Sequence, residues 1–264
     1  FFPIIYEGNG AGQRVGKFVP FTDNGTIDNS CIFNGASNDS LSRTPSSNGS
    51  GTILTFSAWV KRGRLGHSTI FYATDFATYG EGLEFNTNNQ LNYLCIKSAA
   101  GVYDWNYITN RTFEDTSKWY HIYVRRDTTD STAADRVQIY VDGERVTSWN
   151  TETQSALNRT GWMNQTTYSN TVGNINNISY LRGIGYLAEV NMIDGTAMDV
   201  STFGVTDTST GRWIPKTLSG ITYGTNGFRL KFQDSSSLGD DTSGNGNDFS
   251  VTNLVAGDQT TDSP

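Results

Sequence analysis

Apolar and polar residues alternate in short bursts along this chain. The clearest burst is WYHIYVRRDTTDSTAADRVQIYVDGERV, residues 119–146. Tyr120, Ile122 and Val124 fall on one side of an extended backbone, with Trp119, His121 and Tyr123 on the other. Val137, Ile139 and Val141 likewise oppose Gln138, Tyr140 and Asp142. A period of two is the pattern of a strand with two distinguishable faces. The polar stretch 127–135 reads as a hairpin-type loop. Asp142-Gly143 reads as a tight two-residue turn, since glycine accepts positive φ freely and aspartate nearly so. The stretch is therefore predicted to be an antiparallel meander.

Similar runs recur at 31–33, 53–60, 68–73, 82–87, 91–98, 105–110, 168–172, 185–193, 228–232 and 248–253, separated by Gly, Asn, Asp, Ser and Thr. Asn88-Asn89 is a second predicted hairpin turn, DGTAMDVSTFG (194–204) a short helical turn or irregular segment, and the glycine-rich 234–248 a loop. No run of ten or more residues combines helical periodicity with caps. Short strands at regular spacing predict an all-β, two-sheet antiparallel sandwich.

Four stretches resemble laminin-G-like domains of the concanavalin A-like jelly-roll class: TFSAWVKRG (55–63), WYHIYV with RVQIYVDGERV, GYLAEVNMIDGTAMDVSTFG (185–204) and DTSGNGNDFS (241–250). Together they cover most of the chain. In the usual member the counterparts of FRLKF and the SGNGN loop come first, whereas here they come last. The resemblance thus implies a jelly roll with permuted terminal strands: an N-terminal extension or docking segment over 1–30, the sandwich over 31–254 with 228–253 completing it, and a linker or tail over 255–264. The other reading is a second repeat that begins near Thr222 and is cut off. FVPFTDNGTIDNSCIFN, LSRTPSS and TFSAWVKRG are also similar to proteins of tailed bacteriophages. That similarity implies a virion-surface setting in a fibre, spike or capsid decoration, with other virion subunits as partners and a homo-oligomeric assembly.

Composition narrows the classes. The chain has 264 residues, is 12% aromatic and carries a formal charge of −7. An acidic chain is a poor default partner for nucleic acid or an anionic membrane surface, and no apolar run approaches the roughly 20 residues of a spanning helix. Cys31 and Cys95 each sit in an apolar run, which reads as two buried thiols, with a disulfide as the alternative. Seven Asn-X-Ser/Thr triplets, among them Asn24 and Asn177, are expected by chance in so Asn-, Ser- and Thr-rich a chain and carry no reading.

For chemistry, Glu81 and Glu84 lie three residues apart, hence on opposite faces of a strand, and Glu189 and Asp194, five apart, do the same. A glycosidase needs two carboxyls at about 5–5.5 Å or about 6.5–9.5 Å, so the expectation is a non-enzymatic module. His67 and His121 have no metal-ligand spacing. Asp234, Asp240, Asp241, Asn245, Asn247 and Asp248 crowd one loop. A structural calcium held by Asp234, Asp241, Asn245 and Asn247 is one reading. A turn that uses Asn and Asp for left-handed backbone is the other. No other cofactor is implied. Tyr72, Phe76, Tyr79, Tyr103, Trp105 and Tyr107 gather around two loops, and flat aromatics cover apolar sugar faces. Tyr79, Tyr103, Trp105 and Tyr107 are the candidate ligand residues; the alternation of the last three would equally suit a core face. The expected function is adhesion to host glycans, with a purely structural assembly module and a polysaccharide hydrolase as alternatives.

Overall fold

The computed structural model describes residues 25–34, 38–75, 79–99, 101–173 and 185–264. Residues 1–24 of the expected N-terminal segment, Phe76, and the triplets at Asn24 and Asn177 lie outside the described residues. Two large antiparallel sheets face each other as a sandwich. The first runs, from edge to edge, Glu144–Arg145, Val137–Val141, Trp119–Asp127, Ile53–Arg62, Gly185–Asp194, Ser30–Phe33 and Gln259–Thr260. The second runs Trp149–Thr153, Val102–Thr112, Gln90–Ala99, Gly80–Phe85, Ser68–Thr74, Ser169–Gly173, Ser40–Arg43 and Ser250–Thr252. The fold is the jelly-roll sandwich that the alternation and the resemblance predict.

Alternation decides which side chains meet between the sheets. Leu54, Phe56, Ala58 and Val60 of one strand, and Tyr120, Ile122 and Val124 of its neighbour, all point into the main core. The turns follow the expected chemistry. Asp142 and Gly143 have φ of +52° and +79°, and Asn89 has φ of +61°. A type I′ hairpin turn needs left-handed backbone at both central positions, which the Asp-Gly pair supplies. The 194–204 stretch contains one 3₁₀ turn, Val200–Thr202.

The C-terminal region belongs to the sandwich. Phe228–Leu230 shares an edge of the strand Gly185–Asp194 with Ser30–Phe33, while Ser250–Thr252 extends the second sheet. Phe56, Phe71, Phe228 and Phe249 form a chain of rings with successive centroids 5.5, 5.9 and 4.7 Å apart. The region 255–264, expected to be a linker or tail, is docked instead. Gln259–Thr260 pairs with Ser30–Phe33, and Asp262 accepts from Lys61 Nζ at 2.6 Å and Trp119 Nε1 at 3.1 Å.

Two further features position the site. Residues within 198–223 cross the outer face of the first sheet, where Phe203 and Tyr223 pack with Tyr123 and Ile193. Between the sheets, Glu81 is fully buried and accepts hydrogen bonds from Arg126 and Tyr93, and from the Trp162 and Met163 N–H groups at 2.7 and 2.9 Å. This ion pair ties the first sheet to the second. Cys31 and Cys95 are both free and buried. Among the described residues no helix is long and apolar enough to cross a membrane.

Candidate functional site

The aromatic residues singled out from the sequence separate into three settings. Trp105 and Tyr107 are buried in the core, their rings against Tyr93 and Trp149 at 6.0 and 5.3 Å. They cannot present a face to a ligand, which corrects that part of the expectation. Tyr103 does not share their side. Cys95 pairs with Trp105 while Ile96 pairs with Tyr103, so one residue on the first strand spans two on the second. Such a bulge re-aims one side chain relative to its neighbours. Tyr103 therefore packs with Tyr72, Leu94 and Ile96, in a cluster separate from the core. Tyr79 is half-buried, its ring 5.3 Å from that of Trp162, which in turn lies 5.0 Å from Tyr168.

The Asp/Asn loop spends its oxygens on its own backbone. Asp241 Oδ1 accepts from the N–H groups of Arg229 and Ser243 at 2.9 and 2.8 Å, and Oδ2 from Asn247 N–H at 2.9 Å. Asp248 Oδ1 accepts from Asp241 N–H at 2.8 Å, and Asp234 Oδ1 from Ser236 N–H at 2.8 Å. Asn245 and Asn247 donate their side-chain amides to the carbonyls of Gly224, Thr225 and Gly227. Among the described residues no group of three or more His, Cys, Asp or Glu gathers as a metal site. The geometry is that of a hydrogen-bonded turn. The acids of the Gly80–Phe85 strand diverge as their spacing predicts: Glu81 faces the core, and Glu84 lies 3.0 Å from His67 Nε2.

A groove of about 480 Å³ lies on the other sheet, lined by Trp59, Trp119, Trp213, Arg111, Lys118 and Asp142 among others. Trp119 comes from the outer side of the central meander. Trp213 comes from the two-stranded ribbon Gly204–Thr206 with Trp213–Pro215. Both indoles are half-buried, and both ring N–H groups are engaged. Trp119 Nε1 donates to Asp262 Oδ1, and Trp213 Nε1 donates to His121 Nδ1 at 3.0 Å. Only the exposed part of their carbon surface is left for a ligand; the rest packs with Ile27, Trp59 and Ala188. Space also fixes Trp213. A Cβ at Gly143 would come within 2.4 Å of its ring, and one at Gly204 within 2.3 Å.

Behind the groove wall, His121 is fully buried and burial pushes its pKa down to about 3. Its Nδ1 accepts from Trp213, so the ring proton sits on Nε2, 2.9 Å from Ser57 Oγ. A neutral imidazole with this tautomer holds the indole in place. Asp142 is equally committed. Its Oδ1 accepts the backbone N–H of His121 at 2.9 Å and its Oδ2 the Lys118 ammonium at 2.7 Å. Glu144 is exposed at the groove's edge. Sequence reasoning passed over Trp119 and Trp213. The only local signal was an aromatic on the polar-facing side of the strand at 119; Trp213 sits in a stretch without periodicity.

Two antiparallel sheets packed face to face define the concanavalin A-like jelly-roll class. The chain belongs to the concanavalin A-like lectin/glucanases superfamily, as a Laminin_G_3 domain, whose pattern matches residues 34–199, more than half of the sequence. No curated protein matches the sequence. Among solved structures, a putative carbohydrate binding protein from Bacteroides ovatus is similar at a TM-score of 0.55 and 16% identity, over 90% of this chain and 61% of that one. A native heptameric SAP-like pentraxin from Limulus polyphemus is similar at 0.47 and 15%, over 72% and 90% of the two chains. Domains LG4-5 of the mouse laminin alpha1 chain follow at 0.44 and 11%, over 79% and 48%. At these identities the likeness speaks to the fold alone.

Proposed function

We propose that this chain is a non-enzymatic carbohydrate-binding module of a virion surface protein, and that it holds saccharide in the tryptophan groove. The observation that carries the reading is the groove itself. Two half-buried indoles, pinned by hydrogen bonds from their own N–H groups, offer the exposed part of their carbon surface beside charged and hydrogen-bonding side chains. Sugar rings stack on such faces while polar groups fix their orientation. Because both indoles are held before ligand arrives, little ordering entropy opposes binding. The superfamily, whose description names lectins and glucanases, supports a carbohydrate as the ligand. The virion setting, with symmetric self-assembly beside other virion subunits, rests on the resemblance of the 18–34, 41–47 and 55–63 stretches to tailed-bacteriophage proteins.

Glycan-array screening followed by calorimetry tests the binding. Trp119→Ala and Trp213→Ala are each expected to weaken affinity at least tenfold, while Tyr79→Ala, away from the groove, leaves it within twofold. Binding unchanged in both tryptophan variants would move the site elsewhere. Two acids border the groove, so the same glycans are also assayed for release of reducing ends. None is expected, since both oxygens of Asp142 are already engaged. Turnover that disappears in Glu144→Gln would instead make the protein a hydrolase. Immunogold labelling of intact particles checks the virion setting.

A further inference from the structure

We propose that the tryptophan groove selects an anionic saccharide, one bearing a carboxylate or sulfate group, and that Arg111 and Arg212 grip its charge. The inference rests on the carbohydrate reading of the groove and adds to it the chemical class of the sugar.

The observation is where the unengaged guanidinium groups lie. Among the eleven described arginines, all but Arg64, Arg111 and Arg212 donate a side-chain hydrogen bond or ion pair within the chain. Two of those three line the groove. Arg64 is exposed just beyond the Ile53–Arg62 strand and is not among the residues that line the groove. A protein of formal charge −7 has carboxylates to spare, and most of its arginines have found acceptors. Two left unpaired in one groove are the exception.

The other charges of the groove sharpen the picture. Lys118 and Asp142 neutralise each other at 2.7 Å. Among the groove's side chains, Arg111 and Arg212 then outnumber the one carboxylate left without a partner, that of Glu144. Guanidinium matches the geometry of the ligand class, because its planar fork donates two parallel hydrogen bonds to a carboxylate or sulfate. Arg111 is also partly ordered in advance, with its guanidinium 4.8 Å from the Phe113 ring centroid and 5.7 Å from that of Tyr120. Stacking of that kind lowers the rotamer entropy lost when the ligand binds. The indoles would take the ring and the arginines its charged substituent.

The test uses the whole chain on an array that mixes neutral, uronate-containing and sulfated oligosaccharides. Calorimetry then compares each acidic hit with its carboxyl-reduced or desulfated counterpart. Acidic hits are expected to dominate, to bind at least tenfold more tightly than their neutral counterparts, and to lose several-fold in affinity between low and high salt. In the Arg111→Gln, Arg212→Gln double variant they should fall to the affinity of those counterparts. Both side chains are exposed, so an unchanged melting temperature checks that the variant is folded. A uronate preference and a sulfate preference both support the inference and identify the anion. Neutral hits alone, or an acidic preference that survives the double variant, overturns it while leaving the carbohydrate reading intact. If no saccharide binds, or if binding survives Trp119→Ala and Trp213→Ala, the carbohydrate reading of the groove falls and this inference with it.

Discussion

His121 does its work by staying uncharged. Its Nδ1 receives the Trp213 indole N–H, and protonation would remove that acceptor. Burial holds its pKa near 3, against about 6.5 in an unfolded chain. Between those values the unfolded state binds the extra proton and the folded state does not. The stability due to this group is therefore complete above pH 6.5 and is lost as the pH falls to about 3, on the order of 5 kcal/mol in all. Urea denaturation at pH 7 and pH 4 should register most of the loss. Nitrogen-15 NMR should show the neutral Nε2–H tautomer persisting at pH 4; an imidazolium signal there would refute the assignment. Gly204 acts at the same scale, through space. Gly204→Ala puts a methyl group against the Trp213 ring, and saccharide affinity is expected to drop at least fivefold with a smaller change in melting temperature. An unchanged affinity would mean that the indole position does not matter.

At the scale of elements, one inserted residue rearranged the expected site. The Val102–Thr112 strand alternates in sequence, yet the bulge at Asp104 sends Tyr103 to one face and Trp105 to the other. Pattern reading assigns faces by counting twos, and a bulge interrupts the count. The 234–248 loop makes a comparable point. Its acids and amides match a calcium loop in composition, but their partners are backbone N–H and C=O groups of the loop and its neighbours. Since the loop closes on itself, chelation with EDTA is expected to leave the melting temperature within about a degree. Asp241→Ala, which orphans several N–H groups, should cost roughly 1–3 kcal/mol. A clear drop on chelation alone would restore the calcium reading.

Over the whole molecule, the two sheets are joined by apolar contact and, among the described residues, by one fully buried charge pair. Glu81 and Arg126 come from different sheets, 45 residues apart, and both are fully buried. Removing one partner strands the other in a low-dielectric interior, so Glu81→Ala is expected to cost roughly 3–5 kcal/mol in chemical denaturation. A loss below about 1 kcal/mol would mean that Arg126 finds solvent on its own. Much of this architecture was legible in advance. Period-two runs, the Asp-Gly and Asn-Asn turns and the lack of helical segments follow from local sterics and from which side chains tolerate water, and these are written residue by residue. The groove is not local. Its walls come from residues near 111, 119, 142 and 213, and Asp262 holds one of its indoles. Their meeting depends on the order in which strands pair and on the ribbon and C-terminal segment that fold back over the first sheet. Local sterics and the water tolerance of each side chain set the strands, their turns and their faces wherever no bulge intervenes. Only the packing of distant segments decided which aromatics became core and which two became walls, because burial is a property of what lies opposite a side chain.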